Sequence, residues 1–69
     1  MKIKIGDLVK YNGTRKHRII NKGMFGVVIG KYFSRQERLR CTEVILTNGQ
    51  YFEDYDKNFE VISESRWFS

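Results

Sequence analysis

The 69 residues carry a formal net charge of +5, with 41% hydrophobic and 30% charged side chains, which bounds the chain to one small globular domain rather than a disordered segment. A domain of this length buries only about 60% of the surface that its unfolded form exposes, so a deep enzymatic cleft is hard to build from it. The single Cys41 excludes an internal disulfide and any multi-cysteine metal site, which fits a reducing compartment and makes the cytoplasm the expected location. No apolar run approaches the roughly 20 residues that span a bilayer, and Met1 to Ile5 is too short and too charged for a secretory signal, so a soluble, untargeted protein is expected. Charge is uneven along the chain. Residues 1 to 40 hold eleven Lys/Arg against Asp7 and Glu37, about +9, whereas residues 41 to 69 hold Lys57 and Arg66 against six acids, about −4. Such segregation either makes a basic face for a polyanion or lets the two halves attract each other.

In chain order, Ile3 and Ile5 alternate with lysines before Gly6-Asp7 turns the chain into Leu8-Val9-Lys10-Tyr11, a first strand predicted over 7 to 11. Asn12-Gly13 is a turn dipeptide, because both residues tolerate the left-handed region, and it is expected to close that strand. Thr14 to Arg18 reads as a basic loop, with a short apolar anchor at Ile19-Ile20. Gly23 and Gly26 then provide a bend into the β-branched run Val27-Val28-Ile29, predicting a long strand over 25 to 33 in which Gly30 marks a bulge or a close backbone crossing. Ser34 to Arg38 has the length of a hairpin loop. The third strand is expected over 41 to 47, and Asn48-Gly49 predicts a type I′ turn into a fourth strand over 50 to 54. Asp54 to Asn58 suits a single 3₁₀ turn, after which Phe59-Glu60-Val61-Ile62 alternates as a closing strand.

Five short strands with one 3₁₀ turn before the last define an all-β chain, a small SH3-like barrel over residues 1 to 62 with an aromatic tail at 63 to 69. Gly6-Asp7-Leu8-Val9 together with Lys22-Gly23-Met24-Phe25-Gly26-Val27-Val28 resembles the KOW-type opening of bacterial transcription elongation factors and some ribosomal proteins. The later half, Val44 to Gly49 and Tyr55 to Ile62, is similar to short barrel proteins encoded by tailed phages. The likeness covers roughly residues 5 to 62. It implies a phage-encoded protein working in the host cytoplasm on nucleic acid or on the host transcription or translation machinery.

The residues themselves offer one chemistry of note. Arg15, Lys16, His17 and Arg18, with Lys22 and with Arg35, Arg38 and Arg40 on the next loop, are candidates for a phosphate-binding patch, since such cations release counterions from nucleic acid. Tyr11, Tyr32 and Phe33 flank these loops as candidate stacking platforms, core or rim packing being the plainer reading of the same rings. The plainer reading of the cations is a solvated face. Trp67 and Phe68 either cap the barrel's mouth or dock on a partner. His17 has no ligand partners at metal spacing, Glu53, Asp54 and Asp56 lack the ligand count of a calcium loop, and Cys41 lacks a base. No phosphate-loop or dinucleotide fingerprint occurs. The expectation is a non-enzymatic nucleic-acid-binding barrel with no cofactor, no metal, no membrane and no small-molecule substrate. Its rival is a protein-interaction module, either a host-protein inhibitor or a minor virion component.

Overall fold

A computed structural model describes residues 3–14 and 23–64 of the chain. Five antiparallel strands form one open sheet: β1 (Leu8–Tyr11), β2 (Phe25–Ser34), β3 (Leu39–Leu46), β4 (Tyr51–Tyr55) and β5 (Phe59–Ser63), in the order β4-β3-β2-β1-β5. One 3₁₀ turn, Asp56–Asn58, joins β4 to β5, and no α-helix occurs among the described residues. Strand order and the placement of that turn are those of a small SH3-like barrel. Each strand lies within two residues of its predicted range, and β5 continues to Ser63.

The long central strand carries a bulge part-way, which bends the sheet. Val28 faces inward opposite Val44, but the register then shifts so that Gly30 stands opposite Glu43, leaving Ile29 as the extra residue of a bulge. Gly26, Val28, Val44, Leu46 and Phe52 are buried, while Phe25, Val27 and Ile45 face out. The inward side chains of Ile3, Val9, Tyr11, Val28, Val44, Leu46, Phe52 and Phe59 make one core, with Met24 and Val61 packed against it. Its centre is aromatic: the rings of Phe52 and Phe59 stand edge-on to Tyr11 at 5.2 and 5.5 Å between centroids. The Tyr11 hydroxyl donates to the buried Asp54 carboxylate at 2.6 Å, which also accepts from Asn58 Nδ2 and from the Tyr55 N–H. β1 and β4 are not sheet neighbours, so this bond ties the edge strand β4 to β1, three places across the sheet, through the interior.

Two turns differ from their sequence-based expectation. Asn12-Gly13 adopts no left-handed conformation, and the Asn12 N–H donates to the Asn58 carbonyl. Gly13 is required there for space, since a Cβ would lie 2.2 Å from the Tyr11 hydroxyl oxygen. Asn48-Gly49 is not a type I′ turn either. Gly49 has φ +86° but Asn48 does not have positive φ, and the Gly49 N–H bonds back to the Leu46 carbonyl while the Leu46 N–H bonds to the Gln50 carbonyl. The result is a three-residue loop, a type I turn followed by a left-handed glycine. The β2–β3 loop, Arg35 to Arg38, ends on Arg38 at φ 56°, the one non-glycine with positive φ among the described residues.

Candidate functional site

The β2–β3 hairpin extends past the core, and alternation gives its end two unlike sides. Phe33 stands opposite Arg40 on the side that continues the barrel's interior face, in step with Lys31 and Thr42. Tyr32 stands opposite Cys41, and Ser34 opposite Leu39, on the outer side. Arg35, Arg38 and Arg40, the arginines of the described residues, therefore all sit at this hairpin end, and all are exposed. None forms an ion pair among the described residues. Phe33, 54% exposed, lies directly across from Arg40, so the tip presents an aromatic surface beside its cations.

Lys31, on the same side, is already engaged. Its ammonium pairs with Asp56 and bonds the Thr42 hydroxyl, which itself donates to Asp56 at 2.6 Å. This triad fastens the 3₁₀ turn to β2 and β3.

The outer side of the same hairpin has the opposite electrostatic character. Successive rows of cross-strand neighbours run over it: Leu8, Val27, Ile45 and Tyr51; then Gly30, Glu43 and Glu53; then Tyr32, Cys41 and Tyr55. The first row is apolar and open to solvent, Val27 being 45% exposed. The Tyr51 hydroxyl bridges Glu43 and Glu53 at 2.6 Å each. Those two hydrogen bonds, with Glu43 first and Glu53 next, hold the Tyr51 phenol well above its ordinary titration range. Tyr32 is raised in the same direction, first by its hydrogen bond to the Cys41 thiol, then by desolvation and by Glu53. A cavity of about 130 Å³ opens between these rows, lined by Tyr32, Ser34, Glu37, Cys41, Glu53, Asp54 and Tyr55.

Of the residues singled out in the sequence, Arg35, Arg38 and Arg40 are brought together. Tyr11 is not an exposed platform: at 1% exposure it is a core residue, locked between Phe52, Phe59 and Asp54. Val9 and Tyr11 are two residues apart on one strand, and that spacing puts them on one face. Tyr32 is exposed but lies on the acidic side, away from Arg40. Arg15, Lys16, His17, Arg18, Lys22, Trp67 and Phe68 lie outside the described residues. Asp54, one of the three acids that fall short of a calcium loop, is a buried structural acceptor. The acidic cavity was not foreseen. Its signal was the alternation Tyr51, Glu53, Tyr55, which places three polar-tipped side chains on one face of β4. No group of three or more His, Cys, Asp or Glu among the described residues is arranged to hold a metal. No described helix is long and apolar enough to cross a membrane. No protein-family model, no curated protein and no solved structure matches the chain.

Proposed function

We propose that the protein is a non-enzymatic nucleic-acid-binding barrel that grips phosphate with the arginine-bearing end of the β2–β3 hairpin. The observation that carries this reading is the convergence of Arg35, Arg38 and Arg40, exposed and free of ion pairs among the described residues, beside the exposed ring of Phe33. Arginines left unneutralised on a rigid hairpin contact phosphates without reading sequence, and a neighbouring ring stacks on any unpaired base. The basic run Arg15 to Arg18 adds charge of the same sign in the same half of the chain. The KOW-like opening points to the same class of partner, nucleic acid or the machinery that handles it. The lone, buried Cys41 suits a reducing cytoplasm, that of the host if the gene is a phage's.

The test is the salt dependence of binding to a generic oligonucleotide. Replacing Arg35 and Arg40 by Ala and Arg38 by Gly, which keeps the left-handed turn, should flatten the log–log slope by about two to three. Replacing Arg15, Lys16 and Arg18 together measures the share of the other basic run. Glu60→Gln should leave the slope unchanged. Absence of binding even at about 50 mM salt would sink this reading and leave a protein-interaction module in its place.

A further inference from the structure

We infer that the cavity on the outer side of β2, β3 and β4 receives an arginine side chain from an extended segment of a partner protein, independently of the arginine-bearing side of the hairpin. Three observations converge on that occupant.

The residues that line the cavity are mostly polar: Glu37 and Glu53 bring carboxylates, and Ser34, Tyr32 and Tyr55 bring hydroxyls that can accept as well as donate. No described Lys or Arg lies within ion-pair distance of either carboxylate, so their charge is uncompensated. Hydrogen bonds keep the neighbouring phenols protonated, that of Tyr32 first to the Cys41 thiol and that of Tyr51 first to Glu43, with Glu53 contributing to both, so neither phenol adds a second anion to the site. A guanidinium offers five donors in a planar fork and stays charged, which matches a half-enclosed site with two carboxylates and three hydroxyls able to accept. A free anion or a phosphate would be repelled, so the nucleic acid proposed for the hairpin's other side is not the ligand here.

The second observation is the apolar row. Tyr51, with Ile45 and Val27 beside it, lies four residues from Tyr55 along β4, roughly 13 Å at the rise of a strand. An extended segment with its arginine in the cavity places the residue four positions away over this row, on the same face. The third is that β4 is an edge strand, paired to β3 and to no other described strand. A segment running alongside it has a backbone edge to pair with, the mode by which sheets accept peptides. An apolar side chain four residues from an arginine is thus the recognition element.

The probe is a pair of blocked peptides, Arg-Thr-Val-Thr-Ile and the same peptide with citrulline, a neutral isostere, in place of arginine, titrated into the full chain and followed by amide NMR. The expected result is saturable shifts at Cys41, Glu53 and Tyr55 with the arginine peptide and at least a tenfold weaker response with citrulline. Glu53→Gln and, separately, Glu37→Gln should each weaken the arginine peptide about tenfold. Glu37 bears on this because its side chain sits on an exposed loop, so that variant keeps the fold if Glu53→Gln does not. Neither variant should weaken oligonucleotide binding, Glu37→Gln removing a negative charge between Arg35 and Arg38, which separates failure here from failure of the nucleic-acid reading. Equal shifts from both peptides, or none at millimolar concentration, would overturn the inference. So would peptide-free shifts of the same resonances that grow with protein concentration, since the cavity would then be filled by a second copy.

Discussion

The two faces of the same five strands are built from similar residue types yet behave as different materials. On the inner face Val9, Val28, Val44 and Leu46 are all but fully excluded from water, and the polar atoms admitted there, on Asp54 and Thr42, are matched by Tyr11, Asn58 and Asp56. On the outer face Val27, Ile29 and Ile45 are between 37% and 47% exposed, and the carboxylates of Glu43 and Glu53 share one phenol without a described cation to balance them. The inner face has one arrangement that satisfies every buried polar side-chain atom among the described residues. The outer face keeps apolar area and charge in reserve. Stability should therefore reside almost wholly on one side of the sheet, and the peptide recognition inferred above on the other, and the contrast can be attacked by substitutions that differ only in which way they point.

The largest effect is expected at Phe52, whose neighbours on β4, Tyr51 and Glu53, face the other way. Phe52→Ala removes the ring that stands edge-on to Tyr11 and packs against Phe59, and should cost about 3 to 5 kcal/mol, enough to unfold most of the population of so small a domain. Chemical denaturation reads it directly. A loss below about 1 kcal/mol would mean that the aromatic centre is not the core.

Next in size is a pair of glycines. Gly13→Ala drives a methyl into the Tyr11 hydroxyl, which cannot yield without leaving Asp54, and should destabilise by about 1 to 3 kcal/mol. At Gly30 the added methyl meets the end of the flexible Glu43 side chain, which can swing outward into solvent and give up only its exposed hydrogen bond from Tyr51, whose hydroxyl keeps Glu53. Gly30→Ala should cost under about 0.5 kcal/mol. Similar penalties at both positions would break the distinction between a locked inner face and a yielding outer one.

Much of this frame was legible in the residues. Gly30 beside a β-branched run announced the bulge, Asn48-Gly49 announced the β3–β4 hairpin, and Asp56–Asn58 fell where a 3₁₀ turn was expected. The turn chemistry was less legible, since a dipeptide names the bend but not its φ values: the three-residue loop spends the left-handed conformation on Gly49 alone. Gly13 was misread for a related reason. Its need is set by Tyr11, whose inward ring is fixed by Asp54 43 residues away, and no local pattern carries that distance. The arginine cluster was partly legible because Arg35, Arg38 and Arg40 are near in sequence, but which side of the hairpin each ring and cation takes follows from the bulge, which inverts the alternation after Val28.

A smaller effect, and one special to the outer face, comes from the phenols. Both Tyr32 and Tyr51 titrate higher in the folded chain than their ordinary value of 10.0. Above about pH 10 the unfolded chain therefore releases protons that the folded chain still holds. The sign is fixed: their contribution is complete below that value and declines as pH rises through the raised one. Melting temperature should fall across the alkaline range, and Tyr51→Phe should make the fall shallower. An identical alkaline profile in that variant would show that the Glu43 and Glu53 bridges are not maintained in solution.

The smallest effect expected on stability is at Ile45, and it is the sharpest probe of the contrast. Val44 and Ile45 are consecutive on β3, one pointing into the core and the other into the open row with Val27 and Tyr51. Ile45→Thr keeps a β-branched side chain suited to a strand and removes apolar surface that is already 37% exposed, so stability should change by less than about 0.5 kcal/mol. Val44→Thr places a hydroxyl in a fully buried apolar site and should cost about 1 to 3 kcal/mol. If the open row is a recognition surface rather than a fault in packing, Ile45→Thr should nonetheless weaken the arginine peptide, because the residue four positions from the arginine loses its apolar seat. Unchanged peptide affinity in a normally stable Ile45→Thr variant would confine recognition to the cavity and strip the apolar row of its role.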